Sequence, residues 1–257
     1  MASSSAASWL DALLAVLYAP ECASCRRLLV TPTAGPVCAQ CWSEVVPLVP
    51  PLCHRCGDAL PSWRVLGLAA GMCQHCGRHS GEIDRGCSAG VYEGALRKIL
   101  HAFKYDGRTS LANPLASLML DSAAELLSDA HCAVPVPLHP WRRMRRGFNQ
   151  SAALARRLGI PVVHALWRTK MTAPQAGLSA TARRRNVASG FTLSLWMRRA
   201  SQRRKWLTGQ CVVLVDDVWT TGATLNACAA VLKQAGVREV RAVTVARAAP
   251  PGHNKTT

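Results

Sequence analysis

Apolar and polar positions alternate along this chain in two different periods, and the switches between them mark its elements. Near the N-terminus, Trp9, Leu10, Leu13, Leu14 and Leu17 recur at helical spacing until Pro20 stops the pattern, which predicts a short amphipathic helix docked on the protein. Residues 21–80 carry no sustained periodicity. From about 87 to 92 the pattern predicts a strand, followed by a helix whose buried stripe is Leu96, Ile99, Leu100 and Phe103. A second helix is expected over 111–128, then a strand at "CAVPVPL", a basic loop at "HPWRRMRRG", a helix at "FNQSAALARRLG" and a strand at "IPVVHAL". After a long arginine-rich segment come a strand over 211–215, a helix over 222–235 closed by Gly236, and a strand over 239–246. Strands alternating with helices predict an α/β fold, a parallel sheet covered by helices. The expected organisation is a helix at 1–20, a cysteine-rich module at 21–80, an α/β domain at 81–248 and a frayed tail at 249–257.

The chain has 257 residues, 49% of them hydrophobic, enough for one packed core plus a small module. Its formal net charge is +17, which points to polyanionic partners; plain solubility or an arginine-favouring base composition is the alternative source of that charge. No segment is apolar enough over its length to span a bilayer. The first twenty residues lack the basic start of an export signal and Asp11 interrupts their apolar run, so a cytoplasmic location is expected.

Eight of the twelve cysteines form four Cys-x-x-Cys pairs: Cys22/Cys25, Cys38/Cys41, Cys53/Cys56 and Cys73/Cys76. Two thiolates three positions apart on a tight turn point at one tetrahedral ion, and two such turns complete a four-sulfur shell for structural Zn²⁺. A glycine follows the second cysteine in "CHRCG" and "CQHCG", letting the chain turn back so that amides face sulfur. Two ribbons paired in chain order is the expectation; a single shared site is the alternative. His54 and His75 sit inside the pairs and are expected to be exposed turn residues. Cys87, Cys132, Cys211 and Cys228 stand alone among apolar neighbours and are expected to be small buried hydrophobes.

The stretch "VVLVDDVWTTGATL", residues 212–225, runs an apolar strand into Asp216 and Asp217, then into Thr220, Thr221, Gly222, Ala223 and Thr224 at a helix start. In a parallel sheet, ligands collect at the carboxyl ends of strands, where helix amides point and favour phosphate. Gly222 lets the backbone come close. Paired carboxylates beside a phosphate make sense if they hold sugar hydroxyls or a partly hydrated Mg²⁺. An N-cap alone needs one such side chain, not two acids and three threonines. The pattern describes a ligand with a phosphate at one end and a diol in the middle, a ribose 5-phosphate.

This stretch resembles the phosphoribosyl-pyrophosphate (PRPP) signature of type I phosphoribosyltransferases. Together with the Cys-x-x-Cys pairs, "VYEGALRKILHAFKYDGR", "VPVPLHPWRRMRRGFNQSAALARRL" and "APQAGLSATARRRNV", in that order, the chain resembles the competence protein F (ComF) family over most of residues 21–247. That family is associated with natural transformation. The resemblance implies a zinc-ribbon module joined to a phosphoribosyltransferase-like sheet, with Asp216 and Asp217 facing the ribose hydroxyls and residues 220–224 wrapping the 5-phosphate. It also implies PRPP with Mg²⁺ as ligand and a catalytic role for Asp216, Asp217 and Arg183. Trp219 is a bulky spacer within the signature, expected as packing rather than as a stacking platform.

Between Asp129 and Asp216 there is no acidic residue, yet sixteen arginines and lysines lie there. Such a stretch needs external anions or full solvation. Arg142, Arg143, Arg145 and Arg146 follow a strand end beside the motif and occupy the family's pyrophosphate-loop position, suited to bidentate phosphate contacts. Gln175, Arg183, Arg184 and Arg185 lie in a segment resembling the family's flexible catalytic loop. "MRRASQRRKW" is either a nucleic-acid contact or an exposed basic loop. Three functions follow: a transferase of unspecified acceptor, a single-stranded DNA adaptor, and a docking partner for a competence helicase or the uptake machinery.

Overall fold

The computed structural model describes residues 9, 11, 13, 14, 17–60, 71–78, 80–169, 190–199 and 205–248. Within the region after the cysteines, the strands are β1 (Arg85–Val91), β2 (Cys132–Pro135), β3 (Leu166–Arg168), β4 (Phe191–Leu193), β5 (Cys211–Trp219) and β6 (Glu239–Arg247). The helices there are α1 (Gly94–Tyr105), α2 (Ala112–Leu127), α3 (Pro140–Arg146), α4 (Gln150–Ala155), α5 (Leu195–Arg198) and α6 (Ala223–Gln234). The first five residues of β5 are all buried, as is every residue of β6 but its first. Strands apolar on both sides need cover on both sides, and they take the middle of the sheet. The order is β1-β6-β5-β2, with every pairing parallel. Strands β3 and β4 form a separate antiparallel pair.

Side chains alternate across the sheet, so β5 and β6 feed two cores. On one face Val213, Val215 and Val243 pack with Leu96, Ile99 and Phe103 of α1, Leu115 and Met119 of α2 and Leu154 of α4. On the other, Val212, Leu214, Val240 and Ala242 pack with Leu225, Cys228 and Leu232 of α6.

The four Cys-x-x-Cys pairs gather in chain order. The sulfurs of Cys22, Cys25, Cys38 and Cys41 lie within 4.8 Å of one another, as do those of Cys53, Cys56, Cys73 and Cys76. The first cysteine turn of each ribbon repeats one conformation: Glu21 bridges Leu28 and Leu52 bridges Ala59, with Arg26 and Gly57 both at a φ of 64°. Gly57 has a reason to lack a side chain, since a β-carbon there would sit 2.8 Å from the Gly86 carbonyl oxygen of β1. Gly77 instead lies inside the short helix Gln74–Arg78. The donor set fits a thiolate-held ion. The Cys38 and Ser24 amides donate to Cys22 Sγ at 3.3 and 3.4 Å, and the Cys73 amide to Cys53 Sγ at 3.2 Å. Burial works against charge on Cys22, but the amides of Cys25, Cys38 and Ser24 outweigh it and bring the thiol down to about 6. His54 and His75 are exposed, as expected.

The two ribbons straddle the sheet. Cys22 and Cys41 belong to the core under α1 and α2, whereas Cys53, Cys56 and Cys76 belong to the core under α6. Of the isolated cysteines, Cys132, Cys211 and Cys228 are buried and Cys87 is half-buried; burial pushes the Cys132 thiol up to about 12.

Three expectations need correction. The strand expected over 211–215 continues to Trp219, because β6 extends far enough to pair Val218 with Ala246 and Trp219 with Arg247. The strand expected at "IPVVHAL" is reduced to a bridge between Val162 and Ala133, beside Pro161, which has no N–H to offer a ladder. At the N-terminus, Trp9, Leu13 and Leu17 are 76%, 46% and 64% exposed, so these three members of the stripe do not dock, while Leu14 is half-buried. The helix is tied down by Asp11, whose Oδ1 accepts from the Thr33 amide and hydroxyl at 2.8 Å each. The tail at 249–257 lies outside the described residues.

Metal analysis of purified protein is expected to give two zinc ions per chain, one for each four-cysteine cluster. A value of one would contradict the chain-order pairing.

Candidate ribose-phosphate site

Strand β5 delivers Asp216 and Asp217 to the carboxyl end of the sheet. Asp217 is buried, and Lys104 from the last turn of α1 reaches its Oδ1 with Nζ at 2.7 Å. Burial disfavours the Lys104 charge, but Asp217 overrides that and holds its pKa above the usual lysine value, with Asp216 adding to the effect. Removing one partner of such a pair costs about 3–5 kcal/mol, because the other charge is stranded.

Asp216 has no cation of its own within salt-bridge distance among the described residues. Its Oδ1 accepts from Ser151 Oγ of α4 at 2.9 Å and from the Asp217 amide at 2.9 Å. Burial and then the neighbouring Asp217 charge push its carboxyl up to about 7, more than those hydrogen bonds and Lys104 pull it down. A carboxyl in that condition favours a cation or hydroxyl donors beside it. This is the fit expected of a residue that meets Mg²⁺ or a sugar.

Beyond the acids, the chain turns through Thr220, Thr221 and Gly222 into α6. Thr220 and Thr221 are exposed, Ala223 and Thr224 half-buried. Gly222 sits at a φ of 75°, left-handed territory that suits glycine. Thr221 Oγ1 accepts from the Ala223 amide at 3.4 Å. Exposed hydroxyls beside the amides of a helix start are what a phosphate cradle requires.

Trp219 is packing, as expected. It is 4% exposed, and its ring fills the space a side chain on Gly86 would need, 2.5 Å from such a β-carbon.

The basic helix α3 starts at Pro140 and is closed by Gly147 at a φ of 74°. Arg146 is its half-buried member with side-chain partners on two neighbouring helices. It donates to Gln150 Oε1 at 3.3 Å and to the Tyr105 hydroxyl at 3.2 Å, and lies 4.8 Å over the Tyr105 ring. Tyr105 follows Lys104, and Gln150 precedes Ser151, so Arg146 touches the sequence neighbour of each residue that partners an acid. Arg142 is half-buried, while Arg143 and Arg145 are exposed, Arg145 5.7 Å from the Trp141 ring. Gln175, Arg183, Arg184 and Arg185 lie outside the described residues, as do 200–204 of the second basic run.

Sequence reasoning missed Lys104 and Ser151. "HAFKYDGR" had drawn attention as a stretch, but an isolated lysine on an amphipathic helix carries no signal for a partner on a distant strand.

Comparison with known proteins adds to this geometry. A family model described as a double zinc ribbon domain matches residues 13–77, and one described as a phosphoribosyl transferase domain matches residues 144–255. Competence protein F of Haemophilus influenzae is 32% identical over 238 residues, covering 89% of this chain and 97% of that protein. The DNA utilization protein YhgH of Escherichia coli is 30% identical, covering 86% and 87%. Competence protein ComFC of Bacillus subtilis is 27% identical, covering 82% and 83%. Among solved structures, a hypoxanthine phosphoribosyltransferase from Staphylococcus aureus aligns at 13% identity and a TM-score of 0.32, over 55% of this chain and 75% of that one. The fold class rests on the family match and the parallel strand order rather than on that alignment.

The raised Asp216 carboxyl fixes a pH signature. A group whose folded pKa exceeds its unfolded value contributes stability below the unfolded value, and that contribution is lost as pH rises through the folded one. Here the window runs from the ordinary 3.8 to about 7. The melting-temperature advantage of Asp216→Asn over wild type should grow across that window and level off above it. A difference independent of pH would contradict the assignment.

Proposed function

The chain belongs to the competence protein F family, and from that membership we propose that its α/β domain binds PRPP with Mg²⁺ at the end of β5. The observation that carries this reading is the acid pair followed by an open glycine turn at the start of α6, with one acid balanced by Lys104 and the other not. In this reading Asp216 and Asp217 accept hydrogen bonds from the ribose hydroxyls, and the amides and hydroxyls of residues 220–224 hold the 5-phosphate. Arg146, with Arg142, Arg143 and Arg145 on the same helix, faces the pyrophosphate. Mg²⁺ would be held by Asp216 and Asp217 and would supply charge neutralisation to the pyrophosphate oxygens. Transfer, if an acceptor is bound, is a displacement at the anomeric carbon. The acceptor's lone pair forms the new bond, the bond to pyrophosphate oxygen breaks, and pyrophosphate leaves with the electron pair. The carboxylates stabilise the oxocarbenium-like charge that develops on the sugar.

Isothermal titration tests the binding step. Wild type should bind PRPP only with Mg²⁺ present, and Asp216→Asn with Asp217→Asn should weaken it roughly tenfold or more, the scale of losing hydrogen bonds to charged groups. An unchanged affinity in the double variant would refute the reading.

A second reading, handling of single-stranded DNA during competence, is favoured by a different feature. A groove of about 1070 Å³ beside α3 is lined by Arg143, Met144, Phe148, Arg156, Trp167 and Trp196. Trp167 and Trp196 are 48% and 53% exposed. Its lining contains no carboxylate, and the surrounding sequence from 130 to 215 contains none either. Aromatic faces between arginines suit unpaired bases on a phosphate backbone. The family's link to DNA uptake, and a helicase or uptake-machinery partner, belong to this reading. Replacing both Trp167 and Trp196 by alanine should weaken single-strand binding by about 1–3 kcal/mol per lost stack. Wild-type affinity should fall steeply with salt, and a flat salt response would count against it.

A further inference from the structure

Two separate chains of contact run from the second ribbon to Gly222. The first passes through Arg247, the last residue of β6. Its guanidinium is buried, donating to the Cys56 carbonyl at 3.4 Å and to Cys56 Sγ and Asp58 Oδ2 at 3.5 Å each. The same guanidinium stacks 4.8 Å from the centre of the Trp219 ring, which is itself buried. Trp219 in turn abuts the turn: a β-carbon on Gly222 would lie 2.7 Å from its Nε1.

The second chain passes through Asn226 of α6. Its Nδ2 donates to the Gly222 carbonyl at 3.0 Å, and its Oδ1 accepts from the Glu82 amide at 2.9 Å. Glu82 lies on the chain leaving Cys76, and Gly81 approaches so closely that a β-carbon there would be 2.7 Å from Asn226 Oδ1. Gly222 is thus held between an indole and an amide, each anchored on the second ribbon. Among the described residues, the first ribbon makes no hydrogen bond or ion pair with this turn. It reaches the end of α1 instead, through Arg26 to Asp106 at 2.9 Å.

We propose that the second ribbon is the support of the phosphate turn, with Arg247 as the positioning residue that transmits its metal-bound shape. The inference rests on the reading that residues 220–224 hold the 5-phosphate. An ion held by four thiolates leaves the cluster net negative, and a guanidinium donating to one sulfur and to the carbonyl of the same cysteine is drawn to it. Arg247 can then keep one position over Trp219, and Trp219 keeps Gly222 in its left-handed conformation. Loss of metal from Cys53, Cys56, Cys73 and Cys76 frees that anchor and loosens the turn. Zinc occupancy at this ribbon therefore sets ligand affinity at a site in which it takes no direct part.

The test compares full-length wild type, Arg247→Met and Arg247→Lys. Hydrogen exchange is followed at residues 219–226 and at 132–135, zinc content is measured, and Mg²⁺-PRPP is titrated. Zinc is expected to stay at the wild-type content in both variants, because all eight thiolates remain. In Arg247→Met, exchange at 219–226 should rise while that at 132–135 stays at the wild-type rate, and PRPP affinity should fall roughly tenfold, the scale of losing a partner behind the ligating shell. Arg247→Lys keeps the charge but not the planar stack and should fall between. Unchanged exchange at 219–226 in Arg247→Met with zinc in place would overturn the proposal. Should Arg247→Met fail to fold, Arg247→Lys decides on the same readout. If wild type itself fails to bind PRPP, the functional reading fails, while the exchange data still judge the support of the turn on their own.

Discussion

One buried and one half-buried carboxylate meet a half-buried ammonium at the end of β5. That imbalance governs the site. Lys104 satisfies Asp217 at 2.7 Å, but Asp216 is left with a hydroxyl and an amide, and its charge is held back to about pH 7. A buried surplus of negative charge is costly unless something supplies positive charge or hydroxyl donors. A globular protein gains nothing in stability from keeping it. In the proposed reading, a magnesium-bound sugar supplies that charge and those donors.

The rest of the scaffold places that imbalance beside a phosphate turn. The parallel pairing of β5 with β6 runs past the acids to Trp219 and Arg247, so the backbone leading into Gly222 is fixed by a ladder rather than left as loop. Helices α1 and α4, packed in one core, bring Lys104 and Ser151 to the two acids. The two ribbons grip opposite faces of the sheet, one beneath α1 and one beneath α6. They are built into the cores that position the site, so the cysteine-rich segment contributes to the site's geometry as well as to its own stability.

What was legible in the sequence was what local pattern can encode. The apolar runs of β5 and β6, the period of α1 and α6 and the four cysteine pairs each carry their own signal within a few residues, and each forms where expected. Fold class followed from their order. Pairings between distant segments were not legible. Nothing near Lys104 says that it meets Asp217, and nothing near Arg247 says that it spans Cys56 and Trp219. The extension of β5 through its acids was missed because charge looks like the end of a strand, whereas β6 supplied partners at the right register. The N-terminal stripe was misjudged because amphipathic spacing says that a face is apolar, not that anything covers it. Asp11, which had looked like an interruption, is what anchors that helix to Thr33. The segment with Gln175 and Arg183 to Arg185 stays an expectation carried by resemblance.

In the proposed reading, Asp216 surrenders its proton when Mg²⁺-PRPP binds, and calorimetry reads that directly. Mg²⁺-PRPP titrated near pH 6, in several buffers of different ionisation enthalpy, should show an observed heat that varies linearly with the buffer term, with a sign meaning proton release and a magnitude approaching one proton as Asp216 ionises. Heat that is the same in every buffer, or proton uptake on binding, would contradict the account.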